Sequence, residues 1–155
     1  MSTPIIEQIA VKLVGYINAI TEANGFNQDL TAIRPKRLHL ESDINRDRLV
    51  VIQQEEVAEI EEESTSTVIW NQPFAIQAII VDSDDETDPI DTRLNIVRSD
   101  IEKKLMSADC RELDGLGLIF LSGATKFIDD AANSGISVDI IVQYQVLSND
   151  PETLG

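Results

Sequence analysis

The strongest structural constraint lies near the C-terminus. Ile136, Val138, Ile140, Val142, Tyr144 and Val146 fall at every second position without a break. That period fits an extended strand with one buried face. Ser137, Asp139, Gln143 and Gln145 occupy the opposite face, with Ile141 and Leu147 as exceptions. Such a strand needs neighbours for its backbone and an apolar layer over one side.

The rest of the chain supplies both. From Thr67 to Val81, the residues Val68, Trp70, Phe74, Ile76, Ala78 and Ile80 alternate on one face, broken only by Gln72. Before it, Arg48 to Glu61 reads as a strand that begins apolar (Leu49 to Ile52) and becomes acidic. Ser64, Thr65 and Ser66 mark a turn between the two. Together they read as a long hairpin with arms of about 40 Å, at ~3.3 Å per residue. Its distal half is too acidic for a core and is expected to project beyond the sheet. Pro73 implies an edge, a bend or a bulge. A further long strand runs from Leu118 to Phe127. Between Phe26 and Ser42 the pattern allows one or two short strands or a connecting arm.

Two helices complete the pattern. In the first, Thr3 is placed to cap, Pro4 to occupy the first position, and Ile6, Ile9, Leu13, Ile17 and Ile20 form the stripe. Asn24 and Gly25 supply its stop. In the second, Asp88 caps, Pro89 starts, and Ile90, Leu94, Val97, Ile101 and Leu105 form the stripe. The expected fold is α+β: a mostly antiparallel sheet of about four strands, two amphipathic helices on one face, and a long projecting β-hairpin. The 155 residues suit one domain, 1–155, with 148–155 as a loose tail.

Charge narrows the function classes. Asp plus Glu number 28 against 12 Lys plus Arg, a net charge of −16. That opposes general affinity for nucleic acid or for anionic membranes. The plain reading is solubility and self-repulsion; a sharper one is an acidic surface that nucleic acid passes without sticking. No apolar run approaches the roughly 18 residues needed to span a bilayer. No basic segment precedes the first apolar stretch, so a secretory signal is not expected. Cys110 is the only cysteine, which excludes an intrachain disulfide and fits synthesis in a reducing cytosol.

Motifs for chemistry are thin. The run Asp82 to Asp88 has alternating acids but lacks the central Gly and closing Glu of a calcium loop; a solvated loop that caps a helix is the plainer reading. Glu55, Glu56, Glu59, Glu61, Glu62 and Glu63 lack any sign of the cleft that would separate carboxylate pKa values for acid–base work. His39 is the only histidine, and Cys110 beside Arg111 has no companion base. Trp70 and Phe74 read as packing rather than as a base-stacking platform. No catalytic, cofactor-binding or metal-ligating residue is therefore assigned.

The ordering carries a resemblance. A helix ending in an Asn-Gly turn is followed by Ile33-Arg34-Pro35 and a hairpin whose second arm reads Trp70-x-x-x-Phe74-x-Ile76. Then come a helix with Asp100-Ile101-Glu102 and Leu105, and a closing pair ending Ile141-Val142-Gln143-Tyr144. This resembles the tail terminator (tail completion) proteins of long-tailed bacteriophages. The resemblance implies a structural virion protein, assembled in the bacterial host cytoplasm. It would be a hexameric ring on the head-proximal end of the tail tube that stops tube polymerisation and receives the head connector. Its partners would be copies of itself, the tail tube protein and the neck, with DNA only in transit, no membrane and no cofactor. Expected interface residues are Glu59, Glu61, Glu62, Glu63, Thr65 and Thr67 at the hairpin tip. Arg34, Lys36 and Arg37 are candidates to meet an acidic arm, and Asp84, Asp85 and Glu86 form a second acidic site. Alternatives are another neck or baseplate ring protein or, in a different class, a small acidic binding module that is calcium-dependent or mimics DNA.

Overall fold

The computed structural model describes residues 3–35, 45–81, 87–129 and 132–155. In chain order the elements are α1 (Ile5–Asn18), β1 (Thr31–Ile33), β2 (Leu49–Gln54), β3 (Glu59–Glu63), β4 (Thr67–Ile80), α2 (Ile90–Leu105), β5 (Leu118–Ile128), β6 (Ser134–Leu147) and β7 (Asp150–Leu154). Short 3₁₀ turns at Glu22–Asn24 and Leu113–Gly115 link them.

The two strands with the strongest alternation form the spine. β4 and β6 pair antiparallel along their whole lengths, from Thr67 opposite Leu147 to Ile80 opposite Ser134. On the outer side of β4, β2 and β3 lie end to end; on the outer side of β6, β5 and β7 do the same. β1 adds beyond β2 in parallel. The class is α+β as expected, but the sheet has seven strands rather than about four, and it is mixed.

Two further expectations are corrected. The hairpin does not project. β4 pairs with β6 from its first residue, Thr67, beside the tip, and Ser148 ties down the tip: its N–H donates to Ser66 O at 2.9 Å and its Oγ to Thr65 O at 2.9 Å. The acidic arm lies on the sheet as β3, an edge strand with all five residues exposed. Nor is 148–155 a loose tail. It forms β7 against β6, and Gly155 N–H reaches Gln145 O at 3.2 Å.

Pro73 explains why the first arm is two strands. Glu55 N–H donates to Pro73 O at 3.0 Å, but Pro73 has no N–H to return. The ladder breaks there and resumes at Glu59 opposite Asn71. The side chain of Gln72, only 3% exposed, fills the gap by donating from Nε2 to Glu55 O at 3.0 Å.

Even-numbered residues of β4 and β6 face the helices. Ile9, Leu13 and Ile17 of α1 and Leu94, Val97, Ile101 and Leu105 of α2 join Phe74, Ile76, Val138, Ile140 and Val142 in one core. Burying each Leu, Ile or Phe is worth about 1.5–3 kcal/mol against leaving it exposed. Neither Thr3 nor Asp88 caps with its side chain; Pro4 and Pro89 hold the cap positions. α1 stops at Asn18, so the Asn24–Gly25 stop belongs to the following 3₁₀ turn, where Gly25 takes φ +90°. The buried carboxylate of Asp100 fastens that connection to α2. Its Oδ2 accepts Asn27 N–H at 3.1 Å and Gln28 Nε2 at 3.2 Å, and its Oδ1 accepts Asn27 Nδ2 at 2.8 Å.

Candidate interaction surface

Because both helices lie on one side, the opposite face of the sheet carries no helix among the described residues. It presents the odd-numbered residues of β4 and β6, including Ile69, Asn71, Gln77, Ile141, Gln143 and Gln145. These are half-buried by their neighbours in the sheet. Leu49, Val51 and Ile79 form a small second cluster there with Ile33 and Phe127.

The two long edges differ in chemistry. β3 reads Glu-Ile-Glu-Glu-Glu, with a bulge between Ile60 and Glu62. Glu61 accepts Asn71 Nδ2 at 2.7 Å; Glu59, Glu62 and Glu63 reach solvent. Val57 and Ile60 add apolar surface, at 65% and 49% exposure. Across the sheet, β5 contains no Asp or Glu and one cation, Lys126, held by Asp91 at 2.7 Å. Its start is closed, since Ile119 N–H donates to Arg111 O at 3.0 Å. From Leu121 to Ile128 no described strand lies beyond it, and these two residues are 44% and 74% exposed.

The expected interface residues separate into three groups. Glu59, Glu61, Glu62 and Glu63 share one edge strand, and Thr65 and Thr67 lie at the turn that closes it. Thr67 is engaged with Ser64 through its N–H and its hydroxyl, both at 3.1 Å. Arg34 is engaged within its own chain, where Nη1 reaches Glu7 Oε2 at 2.5 Å and Nη2 reaches Oε1 at 3.1 Å. That hydrogen bond holds the Glu7 carboxyl below the ordinary glutamate value, against a smaller opposing effect of burial. Lys36, Arg37, His39, Asp84, Asp85 and Glu86 lie outside the described residues.

Sequence reasoning missed the β5 edge, beyond which no described strand lies. The signal was present as apolar residues on both faces of the strand, Leu118 and Phe120 against Ile119 and Leu121, where a covered strand facing solvent would alternate. It also missed an open groove of about 450 Å³ where β5 and β7 leave a gap along β6. Ile69, Leu116, Leu118, Gln143, Gln145 and Leu154 line it.

No protein-family model matches this chain, and no curated protein matches it.

Titratable groups gather at one further place. Lys12 Nζ and Asp114 Oδ2 stand 2.6 Å apart, which raises the Lys12 pKa. Beside them the Tyr16 hydroxyl is buried and finds no hydrogen-bond partner among the described residues. Burial first, then the Asp114 charge, raises its pKa. Among the described residues no three His, Cys, Asp or Glu stand where they could hold a metal together, and no helix is long and apolar enough to cross a membrane.

Proposed function

We propose that this chain is a structural protein of a bacteriophage virion. It forms a ring, a hexamer by resemblance to tail terminators, on the head-proximal end of the tail tube. There it stops tube growth and offers the surface that the head connector meets. The single observation that carries this reading is the one-sided sheet: helices cover one face, while among the described residues no helix covers the other face and no strand lies beyond β3 or the far part of β5. The resemblance in element order supports it independently of that geometry.

The physics of termination is simple. A stack of rings grows because each ring exposes the surface that the next one needs. A terminator matches that surface on one side and shows a different one on the other. In this role the chain performs no catalysis and uses no cofactor. Neutral amides on the uncovered face, such as Asn71, Gln77, Gln143 and Gln145, suit a lumen wall, and the −16 charge keeps DNA in transit rather than bound. The β3 edge and its turn, Glu59 to Thr67, are the proposed contact with a neighbour or the tube. Arg34, Lys36 and Arg37 and the acids Asp84, Asp85 and Glu86 are secondary contacts.

Negative-stain microscopy of the purified protein mixed with tail tubes tests the reading. Rings seated on one tube end are expected. Reversing charge at Glu61, Glu62 and Glu63 is expected to abolish seating while the monomer stays folded. Tubes with bare ends, or turnover of a small molecule by the chain, would remove the proposal.

A further inference from the structure

We infer that copies of this chain join by sheet extension, with the free β5 edge of one copy receiving the β3 edge of the next. This deepens the ring reading and rests on it for closure into a ring. An edge strand with unpaired N–H and C=O groups is a template for another strand unless something blunts it. Among the described residues, β5 from Leu121 to Ile128 carries none of the usual blunting devices apart from Lys126 and the bulge near Ser122. It has no Pro and no acid, and its two ends expose Leu121 and Ile128.

The choice of occupant follows from charge. In a chain of net −16, most surfaces repel a second copy, but β5 contributes no negative charge. β3 cannot pair with another β3, because like charges would stand directly opposite one another. Against β5 the same glutamates meet an acid-free strand, with Lys126 at one end and Arg111 at the other, where Arg111 lies 5.9 Å over the Phe120 ring. The Lys126–Asp91 pair is well exposed, 49% and 70%, so exchanging Asp91 for a glutamate of the neighbour costs little. Ile60 on β3, with Val57 just before the strand, supplies an exposed apolar partner for one end of the β5 edge, at Leu121 or at Ile128. The surface that excludes itself is thus complementary to the surface across the sheet, which makes the contact head-to-tail.

Single-cysteine cross-linking tests this. The only native thiol, Cys110, is 2% exposed and stays out of the reaction. Proteins carrying Ile60→Cys on β3 and either Leu121→Cys or Ile128→Cys on β5 are oxidised separately and mixed. The expected result is a disulfide heterodimer in at least one mixture, exceeding either protein alone by about tenfold. A second set uses charge. Leu121→Glu with Ile128→Glu is expected to abolish self-association by sedimentation, and adding Glu62→Lys with Glu63→Lys is expected to restore it. Homodimers of the β5 variants, failure of the rescue, or a wild-type chain that stays monomeric at every soluble concentration would overturn the inference. Cross-linked open chains without closed rings would leave the contact standing and remove the ring. Rings indifferent to both edges would do the reverse.

Discussion

The side-chain amide of Gln72 donates to the backbone carbonyl of Glu55, the acceptor that Pro73 cannot serve. One side chain thus repairs the ladder where a proline interrupts it, and lets β2 and β3 run along β4 as two segments of one edge. Gln72→Leu keeps the volume and removes the donor, leaving Glu55 O unpaired. A loss of about 1–3 kcal/mol is expected in urea unfolding. Amide exchange should accelerate in Glu59–Glu63 more than in Leu49–Gln54.

Asp100 is 2% exposed and accepts three hydrogen bonds from Asn27 and Gln28. Asp100→Ala strands those donors and frees the connection after α1. We expect a cost of about 2–4 kcal/mol, read by thermal or urea denaturation, with Asp100→Asn intermediate because it keeps one acceptor.

Tyr16 gives the opposite sign. Its hydroxyl is buried without a partner among the described residues, so Tyr16→Phe should be neutral or stabilise by up to about 1 kcal/mol. The Tyr16 pKa is raised in the fold, so its contribution is complete below the unfolded value near 10 and is lost as pH rises through the folded value. Unfolding curves from pH 9 upward should therefore fall less steeply for Tyr16→Phe than for the wild type.

Glu7 acts at the acid end. Its pKa is lowered by Arg34, so the pair's stabilisation is present above the unfolded glutamate value, about 4.3, and is lost as pH falls through the folded value. Glu7→Gln should flatten that part of the acid limb. Both side chains are about a third exposed or more, so solvent screening keeps the effect below ~1 kcal/mol.

Much of this fold was legible in the residues. Ile136 to Val146 and Val68 to Ile80 announced the two central strands, because a half-buried strand writes its period directly into the sequence. The stripes of α1 and α2 did the same at helical spacing. The rest depended on pairing. Whether an acidic arm such as Glu59–Glu63 projects or lies on a sheet depends on how far β4 and β6 overlap, which no local pattern encodes. β7 was hidden because Asp150-Pro151-Glu152 has the composition of a turn, and its strand state comes from the open edge of β6. Gln72 stood out only as a flaw in an apolar stripe, and its role required knowing which carbonyl Pro73 leaves unserved.

Tube length tests the central claim most directly. Tail tube protein polymerised in vitro, alone and with increasing amounts of this chain, can be imaged and its lengths measured. The terminator reading predicts tubes that shorten with dose and carry a ring at one end. A length distribution that stays unchanged at saturating chain, with both ends bare, would contradict it.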